Sequence, residues 1–185
     1  GRPLVGFAGR WVEEKGFDIL LQAIPHVLRE VPSAQFLYAG ATPDYEDFLS
    51  RCEPLLDPVR ERVTMLGLLT DPQKLADFYG MLDLFALPSR TDCFGITQIE
   101  AILCGTPLVT ADIPGAREVV QVTRMGVLVA PRDPAALARG IIEVIRNRAA
   151  FVLSLGEVRA VFDAEKSVAQ YEELLLRLAV RRAAA

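Results

Sequence analysis

The chain has 185 residues, of which 51% are hydrophobic, and 24 Asp and Glu against 20 Lys and Arg give a net charge of −4. That length suits a single domain, burying about 70% of the surface its unfolded chain would expose. The acidic balance excludes a general nucleic-acid binder with a basic field, though not local basic sites for small anions.

No charged-then-apolar leader opens the chain, and no run approaches the roughly 18 apolar residues of a membrane span. Cys52, Cys93 and Cys104 are odd in number, far apart and without metal-ligand spacing. They read as reduced thiols of a cytoplasmic compartment.

In chain order, six short apolar runs are candidate strands: 4–8, 35–39, 63–66, 83–87, 107–110 and 126–129. Continuous apolar character without polar alternation suits strands buried on both faces, hence a parallel sheet. The stretches between them have helical spacing. Leu20, Ile24, Val27, Leu28 and Val31 form one stripe, interrupted by Pro25, which predicts a kink or a late helix start. Asp71-Pro72 and Asp133-Pro134 are helix openings, with Asp as cap and Pro in the first turn. Strand then helix, repeated about six times, predicts a doubly wound α/β, Rossmann-like sheet over 1–148. Two helical segments, roughly 149–161 and 164–182, form a tail, and Val168, Tyr171, Leu175 and Leu178 share a face of the second. No linker or repeat divides the chain, so 1–185 reads as one domain with a helical tail.

Ligands of such sheets lie beyond the carboxyl ends of the strands. After the first strand come Gly9-Arg10 and then Glu14-Lys15-Gly16. Gly9 permits close backbone approach, and Arg10 and Lys15 put two cations near one strand end, suited to phosphate oxygens. The same residues also read as a turn with solvated charges, because no complete phosphate-loop pattern is present. The loop after the fourth strand runs Ser89 to Ala101, with a helix opening near Gly95 so that Ile96, Ile99 and Leu103 share a face. The first turn of that helix is a seat for an anion. Glu100, in an apolar stretch, either meets donors such as ribose hydroxyls or snorkels to solvent. Asp92 taken alone is a helix cap, and its separation from Glu100 is not legible from spacing. His26 reads as a helix surface or packing residue. No metal cluster, nucleophile elbow or triad is visible.

Taken together, several segments resemble the C-terminal, donor-binding domain of GT-B retaining glycosyltransferases, in particular glycosyltransferase family 4 (glycosyl transferases group 1). These are Gly9-Arg10 with Glu14 to Asp18, Val63 to Gly67, Asp83 to Ser89, Phe94-Gly95, Glu100-Ala101, Cys104 to Val109 and Gly115 through Val120. The resemblance implies a nucleotide-diphosphate sugar as donor, bound without a cofactor or metal. Arg10 and Lys15 would neutralise the diphosphate. The family's paired-glutamate motif falls on Asp92 and Glu100, with Glu100 on the ribose and Asp92 on the transferred sugar. Backbone N–H groups from Phe94, Gly95, Ile96 and Thr97 would hold sugar hydroxyls and the distal phosphate.

The sequence departs from the pattern in having Asp92 for the first glutamate and Cys93 for a small glycine. The resemblance further implies an N-terminal acceptor lobe, absent here and supplied by a parent chain or a partner, with the tail helix crossing back to it. Isolated, the chain would bind donor and transfer sugar poorly. Peripheral membrane association of the full enzyme is compatible with this, nucleic-acid binding is not. Two other readings are a non-catalytic, partner-recruiting lobe and a sugar-nucleotide 2-epimerase-like isomerase on the same fold.

Overall fold

A computed structural model describes residues 1–42 and 47–183, with side chains described through 179. The six strands are β1 (Leu4–Ala8), β2 (Gln35–Ala39), β3 (Val63–Gly67), β4 (Leu84–Leu87), β5 (Leu108–Ala111) and β6 (Gly126–Val129). They form one sheet in the order β3-β2-β1-β4-β5-β6, with every neighbouring pair parallel. The order runs outward in both directions from the junction of β1 and β4, so the topological switch point lies there.

Between the strands lie α1 (Phe17–Glu30), α2 (Phe48–Leu56), α3 (Pro72–Met81), α4 (Ile96–Leu103), α5 (Arg117–Thr123) and α6 (Pro134–Arg146). The helices α7 (Leu155–Val161) and α8 (Ala164–Ala183) follow. Alternate residues of β1 and β2 feed opposite faces. Val5, Phe7, Phe36 and Tyr38 join a core with α1, α2 and α6. Ala8 and Ala39 join a second core with Phe78, Tyr79, Phe85, Ile102, Val119 and Met125. Both faces are covered at the central strands β1, β4 and β5, which is why these lack polar alternation, whereas at the edge strand β3 Thr64 and Leu66 are exposed.

The helix openings follow their caps. The Asp71 carboxylate accepts from the Gln73 N–H, and that of Asp133 from the Ala136 N–H, each at 2.9 Å. Two local expectations are corrected. First, α1 does not start late: it begins at Phe17 and runs through Pro25. An interior proline costs about 3 kcal/mol, whereas each large apolar side chain buried contributes about 1.5–3 kcal/mol. Phe17, Ile19, Leu20, Leu21, Ile24 and Val27 are all buried while Pro25 faces out, so burial wins.

Second, the stretch 149–161 is not one helix. Arg148–Phe151 form a 3-10 turn, and α7 starts only after Ser154. Ser154 and Glu157 make a reciprocal capping box there, a signal present in the sequence as Ser-x-x-Glu. On α4 the buried residues are Gln98, Ala101 and Ile102, Ile99 and Leu103 pack half-buried against the same core, and Ile96 is exposed. The tail helix α8 is exposed along its described length, including Val168, Tyr171, Leu175 and Leu178.

Candidate functional site

The carboxyl ends of β1 and β2 meet backbone to backbone. The Gly9 N–H donates to the Ala39 carbonyl and the Trp11 N–H to the Ala41 carbonyl, each at 3.0 Å. At Gly40, φ is 135° and a Cβ would sit 1.9 Å from the Gly9 carbonyl oxygen, so glycine is required for this approach. At Gly9 a Cβ would meet nothing nearer than Phe7 Cζ at 4.0 Å. Beside it opens a cavity of about 430 Å³. Gly9 and Arg10 line one wall, Thr97 and Glu100 of α4 another, and Tyr79 of α3 lies between, with Leu68, Leu69 and Leu75 forming an apolar end.

The cavity therefore unites Gly9 and Arg10 with Thr97 and Glu100, residues nearly ninety positions apart in the chain. Gly95 is the cap residue of α4 with φ 71°, and the helix it opens directs its first N–H groups toward the same end of the sheet. Glu100 does not snorkel unpartnered: its Oε2 accepts from the Tyr79 hydroxyl at 2.7 Å. Burial, and then the bond to Glu100, push the Tyr79 hydroxyl well above the ordinary tyrosine value, so it remains a donor at any ordinary pH.

Lys15 and Asp92 come together elsewhere. Lys15 Nζ lies 2.8 Å from Asp92 Oδ2, and neither residue lines the cavity. Asp92 also accepts from the Ser89 hydroxyl at 3.3 Å and from the Phe94 N–H at 3.4 Å. Burial alone would raise the Asp92 carboxyl, but the bond and charge of Lys15, with the two further donors, outweigh it and hold the group below the usual value. Asp92 is therefore not the cap of α4, which is Gly95; it accepts from the Phe94 N–H in the preceding loop and pairs with a cation. Phe94 is partly exposed and meets the Phe162 ring edge-on, centroids 6.5 Å apart.

Two residues given no role from sequence hold this loop in place. Arg90 grips Asp18 through two nitrogens at 2.8 and 2.7 Å and donates to the Glu13 carbonyl at 2.5 Å. Gly115, with φ 84°, packs so close that a Cβ would lie 2.5 Å from the Asp92 carbonyl oxygen and 2.4 Å from that of Cys93. Sequence reading also missed Tyr79 and the Gly40 to Thr42 wall. The strand-end rule pointed to the β2 loop as much as to the β1 loop; for Tyr79, inside a helix, no local signal existed. His26 sits on α1 against Arg29, away from the cavity. Cys52, Cys93 and Cys104 are free thiols. Among the described residues no helix is long and apolar enough to cross a membrane, and no three His, Cys, Asp or Glu are grouped to hold a metal.

Comparison with known proteins gives the family and agrees with the fold. The profile of the family "Glycosyl transferases group 1" matches residues 2–147. A D-inositol 3-phosphate glycosyltransferase of Xylanimonas cellulosilytica is 38% identical over 140 residues, covering 74% of this chain and 32% of its own. The sucrose-phosphate synthase structure from Thermosynechococcus elongatus superposes with a TM-score of 0.81 at 30% identity, over 97% of this chain and 46% of that one. Anabaena HepE in complex with UDP and glucose superposes with a TM-score of 0.79 at 25% identity, over 93% of this chain and 47% of that one. The chain thus spans about a third of that relative and about half of each solved chain.

Proposed function

This chain belongs to the glycosyl transferases group 1 family, and on that footing we propose that it is the donor-binding lobe of a retaining glycosyltransferase using a nucleotide-diphosphate sugar. The observation that carries the reading is the meeting of Arg10 and Glu100 in one cavity at the switch point of the sheet. The Arg10 guanidinium and the N-terminus of α4 are cationic partners for a diphosphate. Glu100 accepts from the ribose hydroxyls, and the apolar end at Leu68, Leu69 and Leu75 takes the base. That UDP and glucose occupy the HepE structure supports this class of ligand.

The reaction breaks the bond between the sugar's anomeric carbon and the distal phosphate oxygen, forms one from that carbon to an acceptor hydroxyl oxygen, and releases the diphosphate anion, which takes up the hydroxyl proton. Catalysis then rests on positioning and on stabilising that leaving charge. Arg10 and the backbone N–H groups from Phe94 to Thr97 supply the stabilisation, so the reading requires no resident metal. Asp92 meets the transferred sugar, and Lys15, bonded to it at 2.8 Å, orients that carboxylate as well as adding positive charge. The acceptor binds to a preceding lobe, and the exposed apolar face of α8 at Val168, Tyr171, Leu175 and Leu178 is the surface that lobe covers. Calorimetric titration with UDP-, GDP- and ADP-sugars tests the reading: one should bind, and a ligand at a hundred times its Kd should stabilise the fold by about 2.7 kcal/mol. Absence of heat and of any melting shift across the panel would defeat it.

A further inference from the structure

We infer that Tyr79 is a positioning residue of the donor site, fixing the Glu100 carboxylate in the orientation that reads ribose. This rests on the donor-site reading above and deepens it. The Tyr79 ring is 1% exposed and packs edge-on against Phe78 and Phe85, with centroids 5.3 and 5.5 Å apart. Its own carbonyl accepts from the Thr106 hydroxyl at 2.6 Å, which ties α3 to the start of β5. The ring therefore has nowhere to turn, and its hydroxyl is aimed at Glu100 Oε2, 2.7 Å away.

A carboxylate presents about four lone-pair positions. Tyr79 takes one of those on Oε2, and among the described residues no other group donates to Glu100. The remaining positions suffice for the two hydroxyls of a ribose. A glutamate side chain in a half-buried helix has rotamer freedom that binding would otherwise have to remove; the phenol removes it beforehand, which is preorganisation in the strict sense. The buried phenol stays protonated, so it acts only as a donor and leaves Glu100 an acceptor. Leu75 lies one helical turn before Tyr79 on α3 and lines the apolar end of the same cavity. One face of α3 thus holds the carboxylate and the base together, which sets their spacing.

The test compares two ligands on two proteins. Affinities of UDP and GDP, and of their 2′,3′-dideoxy forms, are measured by calorimetry on the chain and on Tyr79→Phe. The unaltered chain should prefer the ribose-bearing ligand. Tyr79→Phe should lower that preference by about tenfold, the scale of a hydrogen bond to a charged group, while affinity for the dideoxy ligand changes by less than about twofold. Equal weakening of both ligands would mean a merely structural tyrosine and overturn the inference. An unaltered chain that binds neither of these diphosphates nor ADP overturns the donor-site reading and this inference with it. One that binds without ribose preference removes Glu100 from the ribose and leaves the site. Should Tyr79→Phe not fold, the hydroxyl proton of Tyr79 in the unaltered chain is followed by NMR. It should shift on adding the ribonucleotide and not on adding the dideoxy form, and identical spectra would overturn the inference.

Discussion

Two clusters of charge stand at the same edge of the sheet and differ in what completes them. In one, Arg90 closes on Asp18 and Lys15 closes on Asp92, with side-chain exposures between 7% and 25%. Each charge there finds its counter-charge within the protein, and the cluster sews the β4–α4 loop onto the start of α1. In the other, Arg10 and Glu100 both line a cavity of about 430 Å³. The difference teaches that cations near strand ends are not equivalent evidence of a ligand. Lys15 and Arg90 reach carboxylates outside the cavity lining, whereas Arg10 is part of that lining.

The strongest way to break this comparison is at Arg90. Arg90→Ala leaves Asp18 largely buried without its partner, and should cost about 3 kcal/mol in stability, read by urea denaturation. If stability hardly changes, the first cluster is not the structural one.

Arg10→Ala should do the converse. Donor affinity should fall by about 2 kcal/mol, on the scale of a hydrogen bond to a charged group, under conditions where urea titration shows the variant fully folded. Calorimetry and urea titration on the same sample separate the two effects.

Asp92→Asn sharpens the comparison through pH. Because the folded Asp92 carboxyl titrates below its unfolded value, its contribution is complete above about pH 3.9 and is lost as pH falls through the lowered value. The variant should be less stable at neutral pH by about 1.5 kcal/mol, and the gap between the two proteins should close under acid. A gap that stays constant to pH 2 would deny the pairing with Lys15 its role.

The smallest effect is expected on the tail. Leu175→Ser on α8 alters a side chain that is 64% exposed, and should shift the stability of this chain by no more than about 0.5 kcal/mol. Joined to a preceding lobe, the same change should weaken the contact between the lobes, measured as a lowered midpoint of the two-lobe protein.

Much of the fold was legible because it is written locally. Asp71-Pro72 and Asp133-Pro134 cap and start helices by chemistry confined to four residues, and six apolar runs announce six parallel strands, of which the edge strand β3 is exposed on one face. Pro25 misled because a local cost of one hydrogen bond was set against burial that only the packed sheet supplies. Ile96, Ile99 and Leu103 marked the start of α4 correctly, but not how deeply each lies: Ile99 and Leu103 pack half-buried against the core and Ile96 is exposed. In the site, Arg10 and Lys15 looked alike from spacing, and the structure parts them, one to the cavity and one to Asp92. Tyr79 was hidden because its hydroxyl matters only through Glu100, twenty-one positions away.

The amino-acid sequence by itself determined the alternation of strand and helix, the caps that start α3 and α6, and the residue types gathered at the strand ends. Those features depend on interactions within a few residues, so neighbouring letters suffice to specify them. Only the tertiary structure decided which charges neutralise one another, which face of α4 is buried and which phenol meets Glu100. Those outcomes depend on distances between segments remote in the chain, and such distances exist only once the sheet has brought the segments together.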